Sequence, residues 1–340
     1  MKQYKVGLVG IGTVGTEMIK VLRERKFPCS EIRVLATRDR DQEIAGETFH
    51  VRETKAEAFD GLDIVLFAGT EGAKGASKLW GWEAVKRGAV VIDNSADFRQ
   101  DDRVPLVIPE INAEALDKHQ GFIAVPNCST IITLMGLAPL IRAVPIKHFT
   151  AVTFQSVSGA GHKAIDELSA EVQAYRGEEK IAYEPTAFAD QIAFNVIPQI
   201  GGEKADMPGY TSEEAKMLIE SRKILGIPDI KVSCTCVRVP VFYAHSIAIH
   251  AQFAQPITPE MARDIIRKSP GVKLVDDLAK GEIPMPIHAG HTDDVQVGRI
   301  RIDPCVENGL ALFCSGDNIR KGAALNAVQI AETLIQRNLI

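Results

Sequence analysis

The chain has 340 residues, 46 % hydrophobic and 24 % charged, with a formal net charge of -5 at pH 7. That length exceeds what one hydrophobic core usually organises and predicts two domains, while the slightly acidic balance offers no basic footprint for nucleic acid. No apolar run approaches the roughly 18 residues of a membrane span, and the opening MKQYKVGLVG carries no secretory signal, so the expectation is a cytoplasmic protein that meets small molecules or other subunits, not a nucleic acid or a membrane.

Residues 5–24, KVGLVGIGTVGTEMIKVLRE, read as an apolar strand, the turn Gly10-Ile11-Gly12-Thr13-Val14-Gly15, and a run with Met18, Val21 and Leu22 on one helical face. This is GxGxxG in the strand-to-helix setting it requires. Gly10 permits the tight turn, Gly12 lets the backbone approach a pyrophosphate, Gly15 lets the helix pack on the strand, and the helix N–H groups attract phosphate. Strand-like runs follow in EIRVLAT, LDIVLFAG and AVVIDNS, the alternation of a Rossmann-type α/β domain. After the second strand an acidic residue suits the ribose of NAD and an arginine the extra phosphate of NADP. Thr37 and Arg38 come first and favour NADP. Asp39 follows at once and leaves NAD open, with a solvated charged loop as the plain structural alternative.

In AVPNCSTIITLMGLAPL, residues 124–140, Cys128 falls between a strand-like run and a long apolar helix. N–H groups at such a junction favour a thiolate and can hold an oxyanion, and Asn127 is placed to cap the helix or polarise a carbonyl. Buried packing is the commoner role for one cysteine. The dinucleotide motif in the same chain tips the reading toward aldehyde or acyl chemistry, because a thiol adduct of either can exchange hydride with a nicotinamide.

Next, VTFQSVSGAGHKAIDEL puts Gln155 at a strand end and a small-residue turn, 156–161, before a helix, either a surface for close ligand or subunit approach or an ordinary loop. In GYTSEEAKMLIESRKILG, Thr211 and Glu214 form a capping box and Gly226 a stop, predicting a helix over 212–225. Glu220 and Lys223 lie three apart on it, by themselves an exposed ion pair. VSCTCVRVPVFYAHSIAIHAQF reads as one strand. Cys234 and Cys236 share a face as core residues, without the neighbours a metal needs. Arg238, inside the apolar run, requires a carboxylate from a substrate or from the protein. His245 suits proton transfer. Strict alternation puts Arg238 and His245 on opposite faces, so the reading needs a bend at Pro240 or Tyr243-Ala244. The six cysteines show no metal-ligand spacing and are expected as free thiols.

These stretches together resemble aspartate-β-semialdehyde dehydrogenase of the bacterial type over essentially the full length, in VVIDNSADFR, VPLVIPEIN, PNCST, QSVSGAG, NVIPQI, GYTSEEAKM, CVRVPVFYAHS, VGRIRIDP and DNIRKGAALNAVQIAE. The resemblance implies NADPH-dependent reduction of L-aspartyl-4-phosphate to L-aspartate 4-semialdehyde, and the reverse, in the pathway to lysine, threonine, methionine and isoleucine. It makes Cys128 the acyl-accepting nucleophile, His245 the acid/base and Gln155 the residue that orients substrate. Arg238 takes the substrate carboxylate, Glu220 its amino group, and Arg99, Asn127 and Lys223 the phosphate. Gly10, Thr13 and Val14 match the cofactor turn, Thr37 and Arg38 the adenosine end, and Ser158, Gly159 and Asn318 the nicotinamide side.

By the same resemblance, residues 1–127 and 318–340 form the NADP-binding domain and residues 128–317 an α+β catalytic and dimerisation domain, in a homodimer or a tetramer of two dimers. The chain departs from the pattern in places. The loop around 69–88 is about four residues longer, as loops tolerate. Asp39-Arg40 stand where the family commonly carries Arg-Ser, Tyr243-Ala244 replace Asn-Gly, and Ile247 replaces Glu. The rival readings are a reductase of another acyl phosphate such as N-acetylglutamyl phosphate, which has no free amine for Glu220, and a silent NADP-binding paralogue, which would lose Cys128 or His245.

Overall fold

Strand β1 (Tyr4–Val9) turns Val6, Leu8 and Val9 into the core and leads through the glycine turn into helix α1 (Thr13–Glu24). The computed structural model describes residues 2–69, 72, 74–177 and 180–340, so part of the longer loop at 69–88 lies outside the described residues. The chain divides into two compact units, Met1–Asn127 with Ala323–Ile340, and Cys128–Gly322.

In the first unit β1 is followed by β2 (Cys29–Ala36), β3 (Arg40–Ile44), β4 (Glu47–Glu53), β5 (Ile64–Phe67), α2 (Ala76–Lys86), β6 (Val90–Asp93), α3 (Pro109–Asn112) and β7 (Phe122–Ala124). The sheet order is β3-β4-β2-β1-β5-β6-β7. Every pair is parallel except β3 with β4. Thr37, Arg38 and Asp39 form a short exposed loop, and the hairpin β3–β4 follows it from Arg40. Its two-residue turn has Ala45 at φ 53 and Gly46 at φ 81, the left-handed pair that matches the twist of adjoining strands. The last helix of the chain, α9 (Leu325–Gln336), belongs to this unit. Glu332 on it takes a bidentate bond from Arg25 at 2.9 and 2.7 Å, and buried Asn326 donates to the Val107 carbonyl at 2.9 Å.

The second unit begins with α4 (Cys128–Ala143), continues through β8 (Ile146–Gln155), α5 (His162–Ala174), α6 (Ser212–Leu225), β9 (Lys231–Arg238), β10 (His245–Phe253), α7 (Pro259–Arg267), β11 (Val272–Leu274), α8 (Pro286–Ala289) and β12 (Val295–Ile302), and ends its sheet with β13 (Gly309–Gly316). Here the order is β11-β12-β13-β10-β8-β9. Helix α4 is apolar on every side and buried on most of them, as its composition demands. Gly136 keeps it close to the sheet, because a Cβ there would collide with Cys314 Sγ. This unit runs to Gly322, past the expected boundary at 317. Asp317 explains the extension: its carboxylate accepts the N–H groups of Ile319 and Arg320 at 2.8 and 2.9 Å, and Arg320 pairs with Asp293 at 2.7 Å.

Residues 232–253 form two strands, not the single bent one expected. Strand β9 ends at Arg238, β10 starts at His245, and β8 lies between them in the sheet. The break sits beside Ala244, whose φ of 68 no continuous strand accommodates. The face problem disappears with it, since Gln155, Arg238 and His245 each turn to the buried face of their own strand. Cys234 and Cys236 share that face, and burial pushes the Cys234 thiol up to about 12.

Candidate active site

Cys128 is the first residue of α4, where N–H groups without an intrahelical partner and the positive end of the helix dipole favour negative charge on a side chain. Its Sγ lies 3.3 Å from His245 Nε2. On the other edge of the ring, the Ser156 N–H donates to His245 Nδ1 at 3.0 Å and the Ser156 hydroxyl lies at the same distance. The ring is fully buried, and burial, reinforced by the Arg238 guanidinium, holds its pKa well below the ordinary histidine value. His245 is therefore neutral at rest.

Arg238 stands opposite Gln155 in the parallel β8–β9 pair and donates to the Ser156 carbonyl at 2.7 Å. The rest of its fork faces a cavity of about 320 Å³ whose lining includes Phe188, Ile197 and Gln199, with the Phe188 ring 5.8 Å from the guanidinium carbon. Phe188 is set there by Glu167 of α5. That buried carboxylate accepts the N–H groups of Thr186, Ala187 and Phe188 at 2.5, 2.6 and 3.2 Å and the Thr186 hydroxyl at 2.9 Å. The amide of Gln155 donates to Glu213 at 3.2 Å while its oxygen accepts from Thr153 at 3.0 Å, which fixes its orientation.

The capping box of α6 is present as expected, with Gly226 left-handed at φ 65 as the stop. Glu220 on this helix is only 1 % exposed, so it is not the solvated half of a surface pair; Lys223 is half-buried. Gly159 is a cradle for larger groups: a Cβ would press on Arg238 Nη1 at 3.1 Å and on His245 Cε1 at 3.2 Å. Asn318, also buried, accepts from Ala244 N–H, Ser156 and Ser158 through Oδ1 at 3.1, 3.0 and 3.2 Å.

The second unit thus brings together Cys128, Gln155, Ser158, Gly159, Arg238, His245 and Asn318, with Glu220 and Lys223 on α6. The first unit holds the rest. Arg99 is buried there and donates to the Asn94 carbonyl at 2.8 Å, and buried Asn127 immediately precedes Cys128 in the chain.

The glycine turn of the first unit suits a dinucleotide. Gly10 has φ 95, and a Cβ on Gly15 would run into the Gly10 carbonyl oxygen. Gly12 gives α1 no side-chain cap, and Thr13 Oγ1 is buried with no hydrogen-bond partner among the described residues, a hydroxyl ready for a phosphate. A cavity of about 610 Å³ beside the turn is lined by Gly10, Gly12, Thr37, Arg40, Glu53 and Lys74 among others. The arginine that lines it is Arg40, two residues beyond Arg38. Asp39 accepts the Glu53 N–H at 2.8 Å, while the Glu53 carboxylate pairs with Lys55 at 2.7 Å.

Ser156, Gly322 and Phe188 were not singled out from the sequence. Gly322 lies against Cys128, for a Cβ there would sit 2.9 Å from Cys128 Cβ. The small-residue turn after Gln155 and the KGAALN run held the first two signals; Phe188 had none, because only the fold carries it to Arg238. Among the described residues no three His, Cys, Asp or Glu side chains form a metal-binding group, and no helix is long and apolar enough to cross a membrane.

A family profile described as the semialdehyde dehydrogenase NAD binding domain matches residues 5–119, and one described as the semialdehyde dehydrogenase dimerisation domain matches residues 137–321. Aspartate-semialdehyde dehydrogenase of Aquifex aeolicus is 45 % identical over 344 residues, covering 99 % of this chain and 99 % of that protein. The Bacillus subtilis enzyme of the same name is 41 % identical over 345 residues, covering 98 % of each. The crystal structure of aspartate semialdehyde dehydrogenase II from Vibrio cholerae has a TM-score of 0.90 to this chain at 40 % identity, covering 98 % of this chain and 99 % of that one. With both domains matched in order and relatives aligned end to end, the chain belongs to the aspartate-semialdehyde dehydrogenase family.

Proposed function

We propose that the protein catalyses the reversible, NADPH-linked reductive dephosphorylation of L-aspartyl-4-phosphate to L-aspartate 4-semialdehyde through a thioester on Cys128. The observation that carries the reading is the 3.3 Å approach of Cys128 Sγ to His245 Nε2 at the start of a helix. In the reductive direction the thiolate attacks the acyl carbon, the C–S bond forms, and phosphate leaves with the electron pair of the broken C–O bond. N–H groups at the start of α4 hold the oxyanion. The nicotinamide, when bound, supplies the hydride. His245 manages the proton at Nε2, and collapse of the tetrahedral carbon returns the sulfur as thiolate.

An amino acid bearing an acyl phosphate needs a cation for its carboxylate, an anion for its amine and further cations for the phosphate. Arg238, Glu220, and Lys223 with Arg99 and Asn127 meet these needs, and Gln155 orients the acyl group. Gly10, Gly12, Thr13, Val14 and Gly15 hold the pyrophosphate. Ser158, Gly159 and Asn318 take the nicotinamide side. Thr37 with the Arg38–Arg40 stretch favours NADP over NAD, supported by Arg40 at the cavity and by Asp39 turned to the β4 backbone. The working form is a cytoplasmic homodimer paired through the open face of the second sheet, where Val152 and Phe154 are 39 % and 37 % exposed.

The test follows reduction of NADP and, separately, NAD with aspartate semialdehyde, with phosphate present or omitted. Strict phosphate dependence that vanishes in Cys128→Ala is expected. Phosphate-independent turnover would overturn the phosphorylating route.

A further inference from the structure

Residues 181–197 contain no helix or strand, and their one ladder contact is the bridge between Ile197 and Arg238. A segment of this kind finds few partners within itself for its backbone N–H groups, and those it buries must be bonded elsewhere. Two carboxylates on α5 supply the acceptors. Glu167 and Glu171 lie four residues apart on one face of the helix and are 1 % and 0 % exposed. Glu167 takes the N–H groups of Thr186, Ala187 and Phe188, and Glu171 takes those of Ile192 and Ala193 at 3.0 and 2.6 Å. Two acidic side chains at this spacing add nothing to the helix, and an apolar pair would bury at lower cost. What an apolar pair lacks is acceptors, and acceptors fix a backbone one N–H at a time.

That backbone carries the surroundings of Arg238. The guanidinium makes one hydrogen bond among the described residues, to the Ser156 carbonyl, and a single bond leaves it free to turn. The Phe188 ring, 5.8 Å from the guanidinium carbon, limits the turn on one side. Ile197, four residues past Ala193, exchanges both backbone bonds with Arg238, at 3.0 and 2.9 Å, and so holds the strand end from which the side chain rises. Phe188, Ile197 and Arg238 line the same cavity. We infer that Glu167 and Glu171 are positioning residues for the substrate carboxylate: by clamping residues 186–193 they hold Phe188 and Ile197 against Arg238 and aim its guanidinium into the cavity. Both act through Arg238.

The inference rests on Arg238 taking the substrate carboxylate, as proposed above, and its test keeps the two apart. Glu167→Gln leaves an oxygen for Thr186 and Ala187 but sets an NH2 against the Phe188 N–H. Glu171→Ala removes the acceptor of Ile192 and Ala193, and Glu171→Gln returns one oxygen. Phe188→Leu removes the ring and leaves both carboxylates. Hydrogen exchange should quicken at least about tenfold at 188 in Glu167→Gln and at 192–193 in Glu171→Ala. Those two variants and Phe188→Leu should each raise KM for aspartate semialdehyde about 3- to 10-fold with kcat within about twofold. NADP affinity by calorimetry should stay at the parent value, and Glu171→Gln should lie near the parent in every measurement. Faster exchange with an unchanged KM would overturn the positioning role and leave the carboxylates to hold the loop alone. Where an acidic variant fails to fold, Phe188→Leu decides, and an unchanged KM there overturns the inference. A raised KM in the clamp variants beside an unchanged KM in Arg238→Lys would instead overturn the placing of the carboxylate on Arg238, and the route through it.

Discussion

Gln155 and Arg238 are partners at the end of the parallel β8–β9 ladder, and both side chains turn to the buried face. The position of the guanidinium is thus set by strand register, where a slip of one residue would send it to the opposite face. Arg238→Lys keeps the charge but loses the fork that bonds the Ser156 carbonyl and, in the function proposed above, would hold the substrate carboxylate at the same time. The expected result is a KM for aspartate semialdehyde raised about 10- to 100-fold, the worth of one charged hydrogen bond of roughly 1.5–3 kcal/mol. An unchanged KM would mean that the arginine serves only the Ser156 carbonyl.

Removing the sulfur should end the chemistry and leave the nucleotide site intact, because the glycine turn and its cavity belong wholly to the first unit. Cys128→Ala is expected to lower kcat by at least roughly 10⁴-fold while NADP still binds by calorimetry. Weakened binding of the same order would show instead that the substitution disturbs the fold.

Ala244 holds a left-handed backbone at φ 68 immediately before His245. A non-glycine residue there costs about 1–2 kcal/mol, against about 0.4–1 kcal/mol for the extra freedom glycine gives the unfolded chain. Relief of strain wins, so Ala244→Gly should be more stable by about 0.5–1 kcal/mol, a small rise in Tm by calorimetry. A lower Tm would show that the methyl group makes contacts worth more than the strain.

Burial pushes the Glu167 carboxyl up, but the N–H groups of Ala187 and Thr186, the Thr186 hydroxyl and the Phe188 N–H outweigh it and hold it below its ordinary value. A depressed folded value means stability that is present above the unfolded pKa and lost as pH falls through the folded one. Glu167→Gln should therefore be less stable than the parent at pH 7, with the gap closing as pH is lowered through the carboxylate range. A gap independent of pH would show that shape, not charge, holds the 186–188 loop.

Phe154 lies on the open face of the second sheet with its ring 6.2 Å from that of Phe313. Phe154→Asp should shift the protein from dimer to monomer in sedimentation at micromolar concentration, since an unpaired charge would be buried at the contact. A dimer that survives the change would place the interface elsewhere.

What the sequence displays most openly are features whose cause is local. The glycine turn, the strand-to-helix junction at Cys128 and the capping box at Thr211 depend on residues a few positions apart, and the structure has them in place. Where the cause is tertiary, the pattern misleads or says nothing. In the β3–β4 hairpin, β3 is polar but for Ile44, and β4 offers only Phe49 and Val51 as an alternating signal. Residues 232–253 look continuous because both strands are β-branched and apolar, and only the backbone at Ala244 reveals the break. Glu167, a plain charge on a helix by spacing, becomes a buried staple because a loop twenty residues on folds back over it.

The first unit is assembled from both ends of the chain, with α9 supplying Glu332 to Arg25 and Asn326 to Val107. During synthesis, β1 to β7 cannot complete their unit until α9, on the far side of the inserted unit, has also been made. The inserted unit is complete at Gly322, before any residue of α9, so the two units differ in how contiguous their parts are along the chain. Until α9 is in place, the first unit lacks the apolar face of Leu325, Val328, Ile330 and Leu334 that completes its core.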